Sequence, residues 1–343
     1  MLGMTHAALN TRFAQHFQLS TPIALAPMAL ATGGALAAAC AQAGALGLIG
    51  GGYGDLTWTQ REYTLAHELM KEDTSSHARL GCGFITWKLD ENPEALDWVL
   101  TQKPCAIMLS FGDPRPYAES IQAAGAKLIC QVQRLDQVPQ AIEAGAAVIV
   151  AQGGEAGGHG ANALEGRSTF TLVPEIADYL AAHSPNTLLL AAGGVADGRG
   201  LAAALMLGAD GVLVGSRLWA TQESLAAAGA KTQAIHTNGD DTARSEVFDI
   251  LRRKNWPAPY DFRAIRNDLH RSLENDMASL KANPDAARAN YDAGVKAGDF
   301  SRAHATVGEC VGLIRDTPTA GTLLRKITTQ TCELLPVLIN PIE

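Results

Sequence analysis

The chain has no basic run. Lys and Arg number 27 against 35 Asp and Glu, a net charge of −8 over 343 residues. Phosphate neutralisation needs clustered cations, so nucleic acid is not expected as a partner. Nor is there a long apolar run. A membrane helix needs ~20 apolar residues, and the most apolar stretch, 22–51, is broken by Pro27 and several glycines. The opening MLGMTHAALNTRF has neither the basic start nor the apolar core of a secretory signal, so a cytoplasmic protein is expected. Cysteine is sparse and scattered. Cys40, Cys82, Cys105, Cys130, Cys310 and Cys332 form no CxxC and no His/Cys metal spacing. The expectation is buried, reduced thiols and no metal. No GxGxxG follows the first apolar run, which weighs against a Rossmann fold.

Aliphatic residues are plentiful. Hydrophobic residues make up 47% of the chain but aromatics only 6%, so Ala, Leu, Val and Ile carry the core. One pattern keeps returning: an Ala-rich helical stretch ends in Gly, and an unbroken aliphatic run follows. CAQAGALGLIGG (40–51), IQAAGAKLICQV (121–132), AIEAGAAVIVAQ (141–152) and ALMLGADGVLVGS (204–216) are examples. Gly44, Gly125, Gly145 and Gly208 can take the left-handed conformation that closes a helix. The run after each does not alternate, as expected of a strand buried on both faces of a parallel sheet.

Strands are predicted at 22–27, 46–50, 80–85, 105–110, 127–132, 147–151, 187–192 and 210–214. Helices fit between nearly all of them. Eight βα units over about 200 residues make an α/β fold of the (β/α)8 TIM-barrel kind, with a doubly wound open sheet as the alternative. The barrel is assigned to residues 1–222. After it the strand signal stops, and 223–304 reads as a helical insertion in which KNWPAPYDF (254–262) is a Pro-broken connection. Residues 305–343 contain an amphipathic helix, 317–335, placed to return to the barrel, to stop at Pro336 and to leave a short tail with Pro341.

In a barrel of this kind, chemistry sits on the loops after the strands. The first strand ends in Ala26-Pro27-Met28, where proline stops the ladder and frees backbone groups for a ligand. The fifth carries Gln131. A glutamine in an apolar strand needs partners, either a flavin's pyrimidine edge or a neighbouring loop. The sixth runs into AQGGEAGGHG (151–160), where glycines such as Gly154 and Gly158 allow close approach to a flat ligand. His159 ends that run, as a base near neutral pH or as a solvated loop residue. The seventh ends in Ala192-Gly193-Gly194 and the eighth in Gly215-Ser216, the positions where barrels hold phosphate on backbone N–H groups and a short helix N-terminus. Asp197 reads as a helix cap and Arg217 as a surface residue in preference to a phosphate partner.

At these residues the chain resembles the nitronate monooxygenases, also called 2-nitropropane dioxygenases. APM at 26–28, AQGGEAGGHG at 151–160, AAGGVADGRG at 191–200, GADGVLVGSRLWAT at 208–221 and GECVGLI at 308–314 carry the likeness. The resemblance implies FMN at the barrel mouth, its phosphate on Gly193-Gly194 and Gly215-Ser216. It implies His159 as the base for neutral nitroalkanes or the contact to an anionic nitronate, with O2 as the electron acceptor and no metal. The implied partners are a small-molecule nitronate and O2, with no nucleic acid or membrane, and a monomer or homodimer. Departures lie on the substrate side: the third strand and its end, Gly81 to Trp87, lack an Asn, Ser110-Phe111-Gly112 stands where some members have His, and the motif reads GGHGA rather than GGHxG. Flavin enoyl-thioester and quinone reductases share this barrel and form the sister reading. A barrel that kept the phosphate cradle without chemistry is the non-enzyme alternative.

Overall fold

The computed structural model describes residues 9–339. The leader reading of the first eight residues and the tail containing Pro341 lie outside that range. Strands β1 (Ile23–Leu25), β2 (Gly47–Gly52), β3 (Leu80–Ile85), β4 (Ala106–Ser110), β5 (Lys127–Val132), β6 (Val148–Gln152), β8 (Leu188–Ala192) and β9 (Gly211–Val214) form one parallel sheet in the order β1-β9-β8-β6-β5-β4-β3-β2. Ala24 bridges Leu46 in parallel and closes the sheet into a barrel. All eight expected strands are present. The unbroken aliphatic runs have the cause given above, since every residue of β4, β6, β8 and β9 is buried. Gly44, Gly125, Gly145 and Gly208 all have positive φ, as the helix-closing reading requires.

Two apolar layers result. Inward residues such as Leu48, Met108, Val150 and Leu190 fill the barrel, and Phe13 and Phe17 belong to the same cluster. Arg12, on the helix that carries Phe13, fixes it through two hydrogen bonds to Asp210 at 2.7 and 2.8 Å. The outward residues pack on the surrounding helices. The helix Ala320–Ile339 lies against the helices Gly198–Met206 and Gly34–Gln42. Gln330 Oε1 accepts from Gly198 N–H there at 2.8 Å. This helix continues past Pro336, where a stop was expected. Proline removes one helical hydrogen bond and crowds the preceding turn, and so near the end of a long helix that does not terminate it.

The stretch after residue 222 is not wholly helical. Strands β10 (Thr242–Ser245) and β11 (Tyr260–Ile265) pair antiparallel with each other, and β11 pairs with β7 (Gly158–Ala161), the end of the Gly-rich segment. Tyr-Asp-Phe-Arg-Ala alternates as a half-buried strand does, but the prolines before it read as a loop. The register sets Phe262 opposite His159.

Candidate active site

A cavity of about 670 Å³ opens at the C-terminal ends of the barrel strands, within the size range of small-molecule sites. Its wall includes Ala26, Pro27 and Met28 after β1, Gln131 of β5 and Gly158 and His159 of β7. Ala192, Gly193 and Gly194 follow from β8, and Gly215 and Ser216 from the end of β9. One expected residue is not there. Gly154 lies off the cavity wall, its N–H donating to Arg167 O at 2.7 Å and its carbonyl accepting from Arg263 at 3.1 Å. With both backbone groups spent on the protein, it is not placed to meet a ligand.

At the β8 and β9 ends the backbone is open-handed. Among the described residues, none of the N–H groups of Gly193, Gly194, Gly215 or Ser216 donates to the protein. Ser216 Oγ accepts from Gly308 N–H at 2.8 Å, which leaves the hydroxyl proton free to donate. That bond brings the 308–314 segment over the cavity, and Glu309 N–H donates to Glu155 O at 2.9 Å. A side chain on Gly157 would start 2.5 Å from Gly308 N, so glycine there permits this crossing of two backbones.

His159 is not a solvated loop residue. Its side chain is 8% exposed, and Nε2 lies 3.0 Å from each carboxylate oxygen of Asp249. A carboxylate only accepts, so Nε2 carries the proton and Nδ1 keeps its lone pair. Nδ1 has no protein partner among the described residues and is not sealed from the cavity. Trp256 stacks on the imidazole with ring centroids 3.4 Å apart and an interplanar angle of 13°. Trp256 Nε1 in turn donates to Tyr53 Oη at 3.0 Å, tying the insertion to the loop after β2.

Three glutamines back this arrangement. Gln152 Nε2 donates to His159 O at 3.0 Å, while its Oε1 accepts from Gln131 at 3.2 Å and from Gln133 at 2.9 Å. Gln131 therefore has an internal partner and also lines the cavity. Arg244 fixes the Gly-rich turn, donating to the carbonyls of Ala156 and Asp261 at 2.7 Å, Gly158 at 3.2 Å and Gly154 at 3.4 Å. Burial and the nearby Arg263 push its pKa down to about 10, which leaves it cationic at neutral pH. Arg244→Met should cost about 3 kcal/mol or more in urea unfolding, because several carbonyls lose a charged donor at once. A loss below about 1 kcal/mol would show that the turn is held by its β11 pairing alone.

Asp197 caps its helix as expected, accepting from Arg199 and Gly200 N–H at 3.0 and 3.3 Å. Arg217 differs from expectation. It is buried against Asp316, its Nη1 donating to Asp316 O at 3.1 Å, because the 308–316 segment covers it. Sequence reasoning missed Asp249, Arg252, Trp256 and Arg244, all from the supposed helical insertion. It passed over Gln152 although the residue ends a strand otherwise made of Val, Ile and Ala.

Burial lowers the pKa of His159 to about 4 against the pull of Asp249, and that of His304, another cavity residue, to about 3. In the unfolded chain each takes up a proton near 6.5. Between those limits the unfolded state binds more protons, so stability falls as pH drops below about 6.5, by up to roughly 1 kcal/mol per pH unit for each histidine. Urea midpoints at pH 7, 6 and 5 measure this; a flat series would mean the imidazoles are not held neutral.

A closed parallel barrel with free backbone N–H groups and a buried, oriented imidazole on its C-terminal face has the build of a barrel enzyme. The chain belongs to the nitronate monooxygenase family, an oxidoreductase family, whose model matches residues 62–330. It is 33% identical to the nitronate monooxygenase npaC of Metarhizium robertsii over 92% of each chain. It is 31% identical to a nitronate monooxygenase of Neurospora crassa, over 88% of this chain and 86% of that one. Among solved structures it is similar to FabK from Thermotoga maritima, with a TM-score of 0.81 and 26% identity over 97% of this chain and 99% of that one. No helix among the described residues is long and apolar enough to cross a membrane.

Proposed function

We propose that the protein oxidises alkyl nitronates, and neutral nitroalkanes where it takes them, using FMN with O2 as electron acceptor. The observation that carries this reading is the set of four unpartnered backbone N–H groups, at Gly193, Gly194, Gly215 and Ser216, on the cavity that also holds His159. Such a set suits a phosphate. The rest of the wall fits the group as well. Ala26, Pro27, Met28 and Gln131 would flank its ring, and the nearest atoms to a Cβ built on Gly215 are Ala26 Cβ and Met28 Sδ at 3.7 Å, an ordinary contact distance. When bound, FMN supplies the electron acceptor for the substrate.

The chain's own residues do the rest. Asp249 holds Nε2 of His159, so Nδ1 is the atom that takes the C–H proton of a neutral nitroalkane. Low pKa keeps that nitrogen unprotonated at neutral pH. Trp256 and Phe262 restrict water around the imidazole. A nitronate has already lost this proton and needs only binding and orientation.

Absorbance of the purified protein tests the cofactor. One FMN per chain, released by acid or heat, is expected. Protein that is colourless and stays so after incubation with FMN overturns the reading. Anaerobic mixing with an alkyl nitronate should bleach the flavin. Bleaching by NADH but not by nitronate would mark a reductase on the same barrel.

A further inference from the structure

Four arginines lie largely buried beside the site, and three are hydrogen-bonded to acceptors, although Arg244 Nε is itself unpartnered. Arg217 has Asp316, Arg263 has Glu309 at 2.9 Å and Arg244 has its four carbonyls. The fourth, Arg252, is not. Its side chain is 15% exposed and none of its donors meets an acceptor at hydrogen-bond distance among the described residues; Nη1 is sealed from the cavity, whereas Nε and Nη2 are not. The nearest carboxylate, Asp249, is 3.7 Å away and already shared with His159. The guanidinium lies 4.6 Å over the Phe262 ring, and that ring is 4.8 Å from the His159 imidazole. Arg252 lines the cavity.

A charged donor left unmade in a largely buried group is costly, and ligand oxygens meeting Nε and Nη2 from the cavity would offset it. The surrounding charge says which kind. Lys254 also lines the cavity, its Nζ 4.2 Å over the Tyr53 ring, with no carboxylate within ion-pair distance among the described residues. Arg253 is neutralised by Asp292 at 2.8 Å. Among the described residues Asp249 is thus the carboxylate set against Arg252 and Lys254, and the wall beside His159 carries excess positive charge. A guanidinium presents parallel N–H donors in one plane, matched to two oxygens on one trigonal centre.

We propose that Arg252 is the anion anchor of this site, taking the two oxygens of a planar oxyanion beside His159, and that with the proposed function this oxyanion is the –CNO2⁻ group of the nitronate. Arg252 then sets the preference for the anionic over the neutral form of a substrate. His159 serves the neutral form and Arg252 the anionic one, from adjacent positions on one wall.

The test compares wild type with Arg252→Gln and Arg252→Lys as holoenzymes. Each is assayed with one nitroalkane in its neutral and nitronate forms and titrated with nitrate, a planar oxyanion that cannot react. Arg252→Gln should raise KM for the nitronate and the dissociation constant of nitrate by about 10- to 100-fold, the range for a lost charged hydrogen bond. KM for the neutral form should hardly change, which a merely structural role would not produce. Arg252→Lys, keeping charge without the fork, should fall between, and it carries the test if the Gln variant loses its fold. Unchanged nitronate KM and nitrate binding in the variants overturns the proposal, as does wild-type protein that binds no nitrate. If wild type oxidises no nitronate but loses nitrate binding on Arg252→Gln, the anion site stands and the proposed reaction falls.

Discussion

Gly215→Leu protein is expected to purify folded and without flavin. The backbone there has φ −100° and ψ −86°, outside the left-handed region that favours glycine but beyond the edge of the ordinary helical one. The nearest atoms to a Cβ are Ala26 Cβ and Met28 Sδ, both at 3.7 Å. Its neighbours therefore leave room for a Cβ, and the larger side chain would compete for the cradle between β1 and β9 that the proposed phosphate needs. Flavin content after gel filtration should drop to background while circular dichroism stays unchanged. Gly193→Leu is the poorer experiment. Gly193 has φ +101°, and its Cβ would meet Thr169 Oγ1 at 3.0 Å and Ala156 N at 3.1 Å, so strain and cofactor loss would be confounded. Full flavin in folded Gly215→Leu would move the phosphate elsewhere.

His159→Asn is expected to separate two forms of one substrate. Removing a weakly acidic C–H proton needs a positioned base, and such bases contribute roughly 10²–10⁴-fold. Turnover of a neutral nitroalkane should fall by about that factor, while nitronate oxidation falls much less. Cofactor content should hold, because the cradle is on β8 and β9 and the imidazole on β7. Asparagine keeps an N–H donor in the neighbourhood of Asp249, whose buried carboxylate would otherwise stand alone. Steady-state kinetics on both forms decide the matter. Equal losses would remove His159 from the role of base, and no loss on either form would leave it a structural residue.

The barrel could be read from the chain because each strand advertises itself locally. A left-handed glycine closes the helix before many of the strands, and double-sided burial makes the strands largely apolar, without alternation. The cradle was legible for a similar reason, since Gly193-Gly194 and Gly215-Ser216 directly follow strands. The substrate wall was not. Asp249 meets His159 across 90 positions of sequence, and nothing near either residue announces the other. β7 is half glycine and carries almost no hydrophobic signal. β10 is four polar or small residues, and Pro257 and Pro259 hid the alternation of β11. Arg217 misled because burial by a segment almost 100 residues later has no local trace.

The pairing of β7 with β11 has one more consequence. His159 belongs to the barrel by sequence, but its partners Asp249, Trp256 and Phe262 come from the stretch after residue 222. The proposed cofactor grip needs none of those three. Two tasks are thus written in separate passages of one chain. Change at Asp249, Trp256 or Phe262 would then retune what is oxidised while the proposed hold on the cofactor stays as it was, so descendants of this barrel could trade substrates without first relearning how to keep that group.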